Sequence, residues 1–432
     1  MKQLKLNEER FLRLLSDFVG NGERLQNCPP AGLIPEEALV ADEVSAQLRP
    51  HVESGYLRLE SLQAPGHERR PSLVITVPGS GPRTVGFVGA HFDVVPANKT
   101  QEGWEREPFE LTVEDGVLYG RGVTDCLGHV ALLTDWVVQL AENNIQPEAT
   151  IKIVFIANEE EAPQPDIGLD YVVSEGALDG LVDGPLYWLD SADFGPTVGT
   201  GGMAMWQLEV QGVSGHSGFA HNCVNALELG AATSLALSAW FADRFPPHAD
   251  EPKWGFLSSS TLKATTIVAD NTKVTKIPGA VTLGGDIRLT PFYDVKDALA
   301  EAAAFVERLN DGFAKGEAPV GFPSVQTADG EAGVVRFSAN GRFMEGIACD
   351  LDSTGLASLK AAMTDVVGEG GVSQFSMTGS LPLVRDLQRR GFDVQITGFG
   401  NSRYYHAPNE QASLDHFRQG FQILCELLPR MA

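Results

Sequence analysis

Short apolar runs alternate with segments of helical spacing along the first half of the chain. Residues 71–79, 83–95 and 150–157 are apolar enough to form buried strands, and a similar run spans 185–189. Residues 128–144 repeat apolar side chains at intervals of three and four, which predicts a helix. Strands that alternate with helices predict an α/β fold in which a mixed β-sheet is flanked by helices.

Three of these predicted strands end in residues that bind protons or metals. His91 and Asp93 end the second strand, Glu159 and Glu160 follow the third, and Asp190 follows the fourth. Ligands of open α/β sheets bind beyond the carboxyl ends of the strands. We therefore expect these five side chains to meet at one edge of the sheet.

The pattern changes near residue 198. Residues 199–218 alternate apolar and polar side chains, as a half-exposed antiparallel strand does. Two further alternating segments and two helical segments follow before residue 320, and the last predicted helix spans 414–428. We predict a first domain of residues 1–198 and 321–432 and an inserted, smaller α+β domain of residues 199–320.

Charge and composition exclude several classes of protein. Acidic residues outnumber basic ones 57 to 32 among the 432 residues, which gives a net charge of −25. Such a surface repels nucleic acid and anionic membranes. The first residues form an amphipathic, charged segment without the apolar core of a secretory signal, and no run is long enough to span a bilayer. Five scattered cysteines favour free thiols in a reducing cytoplasm. We therefore expect a cytoplasmic protein. From its charge and the lack of a long apolar run we expect neither a nucleic-acid nor a membrane partner.

The polar strand ends are rich in the donors that zinc prefers. His, Asp and Glu bind Zn²⁺, and catalytic zinc sites keep one position open for water. Asp125 and His406 add two more such donors. Each residue taken singly has an ordinary structural role, such as a helix cap for Asp190 or a hydrogen-bonded histidine for His91. Their joint placement at strand ends favours a metal site.

His91 and Asp93 lie two positions apart, so that in a strand both side chains point to the same side. A carboxylate behind a ligating imidazole fixes its tautomer and raises its basicity. A strand-end turn with a surface aspartate is the alternative for this pair alone.

Six ordered motifs make the chain similar to a known family. They are HFDVV, GRGVTDCLGH, IANEEE, GVSGHSG, IPGAVTLGGDIR and HAPNE. In this order they resemble the two-zinc aminoacylase, desuccinylase and carboxypeptidase superfamily. The segments near residues 28–37 and 378–395 resemble its acetylornithine deacetylase branch of plant type. The resemblance implies a zinc-peptidase-like catalytic domain and an inserted lid or dimerisation domain.

The resemblance also implies a site for two Zn²⁺ ions, with Co²⁺ or Mn²⁺ as alternatives in the second position. Asp125 matches the carboxylate that bridges both ions. His91 and Asp190 would complete one ion, and Glu160 and His406 would complete the other.

Further roles follow from the same motifs. Glu159 matches the general base, although the acidic run leaves a shift onto Glu161 open. Asp193 is a rival to Asp190 as a ligand. The resemblance implies a cis peptide bond after Asp125. A mechanism with Cys126 as the nucleophile is the alternative to a metal mechanism, but the resemblance implies no histidine partner for it.

Residues outside the predicted metal site match substrate contacts of the family. His216 matches a histidine that stabilises the oxyanion, often across a dimer, and a turn histidine beside glycines is the alternative. Arg288 matches an arginine that holds the substrate carboxylate, with pairing to Asp286 as the alternative. Arg385 could hold the substrate carboxylate instead, and an ordinary charge on a helix is its alternative role. Glu410 is expected to orient its loop.

The implied activity is hydrolysis of the acetyl-amide bond of N2-acetyl-L-ornithine to L-ornithine and acetate, a step of arginine synthesis. Another N-acyl amino acid or a dipeptide is the alternative substrate. A metal-binding homologue without catalysis is a remote alternative, since Glu159 accompanies every proposed ligand. The expected partners are this small substrate and a second copy of the chain, paired through the lid domain.

Overall fold

The structure is a computed structural model that describes residues 4–161, 166–190, 193–271 and 273–431. In chain order its α-helices are α1 (Glu8–Gly20), α2 (Gly22–Leu25), α3 (Ala38–Glu53), α4 (Lys99–Glu102), α5 (Leu127–Glu142), α6 (Leu169–Ser174), α7 (Ala226–Arg244), α8 (Glu251–Trp254), α9 (Val295–Phe313), α10 (Thr354–Val367), α11 (Val384–Arg389) and α12 (Leu414–Leu427). Short 3-10 helices span Pro29–Ala31, Leu181–Asp183, Ser217–Asn222, Glu369–Gly371, Ser402–Tyr404 and Leu428–Arg430.

The β-strands in chain order are β1 (Arg58–Leu62), β2 (Ser72–Val77), β3 (Thr84–His91), β4 (Thr112–Glu114), β5 (Val117–Tyr119), β6 (Thr150–Ile156), β7 (Pro185–Leu189), β8 (Gly195–Gly199), β9 (Gly202–Gln211), β10 (Gly215–His216), β11 (Thr261–Ala269), β12 (Lys276–Ile277), β13 (Ala280–Leu289), β14 (Val334–Met344), β15 (Phe375–Ser376), β16 (Asp393–Gly398) and β17 (Gln411–Ser413). None of the helices in the described ranges combines the length and the apolar character that crossing a membrane requires.

The chain divides into two compact units. The first contains residues 1–198, 349–375 and 382–432, and the second contains residues 199–348 and 376–381. The second unit thus continues past residue 320, where the sequence pattern placed its end. The reason is β14, which pairs with β9 in antiparallel register along most of its length.

The first unit is built on a large mixed sheet with strand order β1-β2-β6-β3-β7-β16-β8-β15. Its four middle strands, β6, β3, β7 and β16, run parallel to one another, whereas β1, β2 and β8 pair antiparallel. The predicted mixed sheet is therefore confirmed. β2 and β3 are buried on both faces, which explains their continuous apolar sequence.

Helix α5 is buried along nearly its whole length and packs against α1, α3, α12 and β3. Its ring contacts tie it to the sheet: Trp136 meets Phe87 edge-on at 5.5 Å between centroids, and Phe87 stacks on Tyr187 at 5.6 Å. Such aromatic pairs each add roughly 0.5–1.5 kcal/mol beyond the burial of apolar area. The helix is therefore held firmly where its first residue follows Asp125 and Cys126.

The second unit contains an antiparallel sheet with strand order β11-β13-β9-β14. Helices α7 and α9 pack on this sheet. The side chains of β9 alternate between buried and more exposed positions, as the sequence pattern predicted for a half-exposed strand.

Candidate metal centre

Four parallel strands deliver the predicted ligands other than Asp125 to one edge of the large sheet. His91 is the last residue of β3, Glu159 and Glu160 follow β6, and Asp190 directly follows β7. His406 lies in the loop after β16, the fourth parallel strand. Because the carboxyl ends of parallel strands share an edge, residues that are far apart in sequence meet there.

A glycine shapes the end of β3. Gly89 has a φ of 106°, and a Cβ there would lie 2.5 Å from the indole nitrogen of Trp188 on β7. The pairing of β3 with β6 shifts register between Val88 and His91. An irregularity of this kind re-aims the side chains that follow it. Nδ1 of His91 then lies 3.0 Å from the backbone carbonyl of Asp93, so the proton on Nδ1 leaves Nε2 with a free lone pair.

The Asp125 carboxylate lies between the two predicted histidine ligands. Its Oδ1 is 3.1 Å from Nε2 of His91, and its Oδ2 is 3.1 Å from Nε2 of His406. The peptide bond between Asp125 and Cys126 is cis, as the resemblance implied. One carboxylate that faces two imidazoles has the geometry of a bridging ligand.

The remaining acids surround the same two histidines. Oδ1 of Asp190 is 3.7 Å from Nε2 of His91, and Oε2 of Glu160 is 3.0 Å from Nε2 of His406. A carboxylate oxygen of Glu159 lies 4.0 Å from Nε2 of His91. The structure thus brings together all the side chains predicted as ligands, with Glu159 beside them.

Asp93 contacts both the imidazole and the loop that carries the two glutamates. Its carboxylate oxygen is 3.5 Å from Nδ1 of His91. The same carboxylate accepts the amide hydrogens of Glu159 and Glu160, each at 3.0 Å. Asp93 therefore fixes the backbone of the acidic loop in addition to facing the imidazole, a contact that the sequence did not predict.

The charges in this cluster are unbalanced without cations. Burial raises the pKa of Asp190 to about 8, and burial together with the Asp125 carboxylate raises the pKa of Glu160 to about 7. Burial also raises the pKa of Glu159 well above its ordinary value. Burial opposes the charge on His406, but its hydrogen bonds with Asp125 and Glu160 raise its pKa to about 11. Cations bound at this cluster would offset the cost of burying its acids.

Two buried oxygen atoms show that the donor set fits metal ions. Oε1 of Glu160 and Oδ1 of Asp190 have no hydrogen-bond partner within the described ranges. The ligand atoms of His91, Asp125 and Glu160 lie within 4.8 Å of one another, and so do those of His91, Cys126 and Asp190. Nitrogen and carboxylate oxygen donors of this kind are those of catalytic zinc sites.

A buried ion pair supports the loop before α5. Nη1 of Arg121 donates to Oε2 of Glu410 at 2.8 Å, and both side chains are buried. Oε1 of Glu410 accepts the amide hydrogens of Gly122, Thr124 and Asp125 at 3.0 to 3.2 Å. Glu410 thus orients the loop that ends in Asp125, which is a different loop from its own.

The rival ligands are placed differently. Asp193 accepts hydrogen bonds from the backbone amide and the hydroxyl of Ser402, so it holds the loop that leads to His406. The Cys126 thiol is buried, and burial raises its pKa well above the ordinary value. A neutral thiol is a poor nucleophile, which argues against a cysteine mechanism.

The predicted substrate contacts lie on other elements. His216 is exposed on β10 of the second unit, and its Nδ1 accepts the amide hydrogen of Gly218 at 2.9 Å. Arg288 on β13 of the same unit donates from Nε to Asp286 at 2.7 Å. Arg385 on α11 of the first unit donates to Gln388 at 3.2 Å.

Two further buried polar residues, which the sequence pattern does not predict, lie near the metal cluster. Asn27 donates to the carboxylate of Asp93, 66 positions away, and also to Asn158. The buried His129 accepts the amide hydrogen of Phe399 on Nε2 at 2.9 Å. These contacts follow no sequence period, so a pattern search does not find them.

Comparisons with known proteins identify the relatives of this chain. The family model described as peptidase family M20/M25/M40 matches residues 87–430. Acetylornithine deacetylase of Arabidopsis thaliana is 40% identical over 99% of this chain and 96% of its own length. The protein of the same name from Dictyostelium discoideum is 41% identical over 97% of this chain and 96% of its own.

Solved structures show the same fold. Human carnosine dipeptidase 1 superimposes with a TM-score of 0.71 at 20% identity. The superposition covers 99% of this chain and 97% of the dipeptidase chain. The metallo-carboxypeptidase Sso-CP2 of Sulfolobus solfataricus gives a TM-score of 0.71 at 16% identity over 98% of this chain and 99% of its own. The chain belongs to the peptidase family M20/M25/M40 and is a metal-dependent hydrolase, as its motifs predicted.

Proposed function

We propose that this protein hydrolyses N2-acetyl-L-ornithine to L-ornithine and acetate with two zinc ions. The observation that carries the proposal is the placement of the Asp125 carboxylate between His91 and His406. The identity of about 40% to two acetylornithine deacetylases over nearly the whole chain supports the choice of substrate.

We assign the metal ligands as the motifs implied. His91, Asp125 and Asp190 would hold one zinc, and Asp125, Glu160 and His406 would hold the other. The contacts of the two acids support this division, since Asp190 lies 3.7 Å from Nε2 of His91 and Glu160 lies 3.0 Å from Nε2 of His406. When bound, a zinc pair polarises a carbonyl group and makes a neighbouring water more acidic.

Glu159 is the proposed general base. Its carboxylate lies at the edge of the ligand cluster, and its backbone is fixed by the hydrogen bond to Asp93. In this role it takes a proton from the attacking water and delivers it to the amine that leaves the cleaved amide. Both transfers involve the same carboxylate, so the residue returns to its starting state after each turnover.

His216 is the proposed donor to the oxyanion. Its Nδ1 accepts a backbone hydrogen, so the neutral ring carries its proton on Nε2. An N–H donor of this kind stabilises the negative oxygen that forms as the carbonyl is attacked. Its exposure is consistent with a role in a site that a second copy of the chain completes.

We propose that two copies pair through the second unit. Strand β11 is an edge strand of its sheet, and Ile267 and Val268 on it are 51% and 68% exposed. Leu235 on the neighbouring helix α7 is 73% exposed. An exposed apolar edge strand pairs readily with another strand. Sedimentation equilibrium should give a dimer for the wild type and a monomer for Val268→Asp; an unchanged dimer would place the interface elsewhere.

The substrate carboxylate has two proposed partners, Arg288 and Arg385. A guanidinium binds both carboxylate oxygens at once, which an ammonium cannot do. Because Nε of Arg288 already donates to Asp286, its terminal nitrogens would contact the substrate. The arginine that binds substrate should show a raised KM on replacement by lysine, and the other should not.

The substrate assignment is tested by acetate release from a panel of N-acetylated amino acids. We expect turnover of N2-acetyl-L-ornithine that stops on treatment with a chelator and returns with added zinc. Equal turnover of N-acetyl-L-methionine would instead indicate a broad aminoacylase. A rate that chelation leaves unchanged would contradict the metal mechanism.

A further inference from the structure

Three buried polar residues contact the loop that carries Glu159 and Glu160, and all three precede the part of the chain that the family model matches. Asn27, Glu37 and Arg70 are 2%, 0% and 3% exposed, respectively. All three precede residue 87, where the match to the family model begins. Asn27 and Glu37 border the segment near residues 28–37 that resembles the acetylornithine deacetylase branch. The proposed chemistry gives these residues no role.

Glu37 and Arg70 form a bidentate ion pair. Nε of Arg70 donates to Oε2 of Glu37 at 2.8 Å, and Nη2 donates to Oε1 at 2.8 Å. Removing two charges from water is costly even when they pair, and well-packed apolar residues often stabilise a fold as well or better. Stability alone is therefore a weak reason for a charged pair at this place.

The pair holds Asn158 from two sides. Oε1 of Glu37 accepts the amide hydrogen of Asn158 at 3.0 Å, and Nη2 of Arg70 donates to its Oδ1 at 3.0 Å. Asn27 donates to the same Oδ1 at 2.9 Å and to the Asp93 carboxylate at 2.8 Å. One network thus joins the ion pair to Asn158 and Asp93.

Asn158 directs the chain from β6 into the metal cluster. Its φ of 54° is left-handed, a conformation that asparagine tolerates better than most residues. The turn presents the amide hydrogens of Glu159 and Glu160 to the carboxylate of Asp93. The positions of the proposed base and of one proposed zinc ligand therefore depend on the conformation of Asn158.

We infer that Glu37 and Arg70, together with Asn27, are positioning residues that set the Asn158 turn and thereby the placement of Glu159 and Glu160. The inference rests on the proposed function and adds residues to its site. They act through the backbone and side chain of Asn158 rather than on the substrate. Residues that orient metal ligands in this indirect way commonly change metal affinity or activity by about 10–100-fold when replaced.

The test compares Glu37→Gln with Asp135→Asn. Both substitutions turn a buried carboxylate of an ion pair into an amide of the same shape, because Asp135 is fully buried and binds Arg10 at 3.0 Å. Zinc affinity is measured by competition with a chromophoric chelator. The constants kcat and KM are measured with N2-acetyl-L-ornithine, and stability is measured by thermal unfolding. Zinc affinity separates the two roles, since a purely structural role would not change it in the folded protein.

We expect Glu37→Gln to lower the affinity for one of the two zinc ions by about 10–100-fold. We also expect it to lower kcat more than it raises KM. Asp135→Asn should lose stability while its folded form keeps both zinc affinities and kcat. Wild-type zinc affinity and kcat in folded Glu37→Gln, or an equal weakening in Asp135→Asn, would overturn the inference.

If Glu37→Gln does not fold, Asn27→Ala provides the same test, since it leaves the ion pair intact and removes only the bridge to Asn158 and Asp93. A wild type that binds two zinc ions yet hydrolyses no N-acetyl amino acid would contradict the proposed function. The comparison of zinc affinities would still decide the positioning role.

Discussion

Arg121 and Glu410 form a buried ion pair at 2.8 Å although they are 289 positions apart in the sequence. The pair joins the loop that ends in Asp125 to the loop that follows His406. It therefore ties together two of the residues that we propose to bind metal. Its contribution to the fold should be measurable apart from any effect on catalysis.

Arg121→Met should destabilise the protein by about 3–5 kcal/mol, because it leaves the Glu410 charge buried without a cation to pair with. Arg244→Met is the control, since Arg244 pairs with Glu301 at the surface, where such pairs contribute under about 1 kcal/mol. Urea unfolding of the three proteins measures the difference. Equal losses in both variants would show that burial does not determine the strength of the Arg121 pair.

Glu159→Gln should keep both metals and lose turnover by about 10²–10⁴-fold, because the amide cannot accept the proton of the attacking water. Glu161→Gln is the matched control within the same acidic run. It should stay within a few-fold of the wild type, since Glu161 is not among the residues that contact His91 or His406 in the described structure. If Glu161→Gln were the inactive variant, the general base would be one register away from our assignment.

Asp190→Asn should bind one zinc ion less tightly, whereas Asp193→Asn should bind both as the wild type does. The reason is position: Asp190 lies 3.7 Å from Nε2 of His91, and Asp193 accepts hydrogen bonds from Ser402. Metal content after gel filtration at limiting free zinc gives the answer. Loss of zinc in Asp193→Asn alone would make Asp193 the ligand.

The sequence predicts those parts of the site that depend on strand ends. His91, Glu160 and Asp190 follow apolar runs that are visible in the sequence, and a parallel sheet must bring such ends together. His406 depends on β16, which pairs with β7 only after the chain has completed the second unit and returned. Hydrophobic periodicity contains no information on such pairing, so His406 was placed by family resemblance.

Contacts over long sequence separations were missed for a similar reason. Asn27 reaches Asn158 across 131 positions, and no spacing in the sequence marks the pair. The second unit extends beyond residue 320 because β14, which follows a stretch without clear periodicity, joins its sheet through β9. The sequence therefore predicts local elements and strand ends, whereas the contacts of Asn27 with the acidic loop emerge only from tertiary structure.

His129 should make the folded state sensitive to acid. Burial lowers the pKa of His129 from its ordinary 6.5 to about 4, so the folded protein resists protonation that the unfolded chain accepts. Its stabilising effect is present above pH 6.5 and is lost as the pH falls towards 4. At pH 5 the loss amounts to about 2 kcal/mol.

In His129→Gln the amide oxygen can still accept the Phe399 amide hydrogen, but the side chain does not titrate. The difference in unfolding free energy between pH 7 and pH 5 should therefore be smaller in the variant by about 2 kcal/mol. Urea unfolding at both pH values measures it. An identical pH dependence in the two proteins would mean that His129 titrates normally in the fold.

We propose that Asp125 bridges two cations held by His91, Glu160, Asp190 and His406. Crystals of the zinc-loaded protein, measured on both sides of the zinc absorption edge, test it directly. We predict two anomalous peaks about 3.5–4 Å apart with the Asp125 carboxylate between them. A single peak, or two peaks away from these five side chains, would contradict the account.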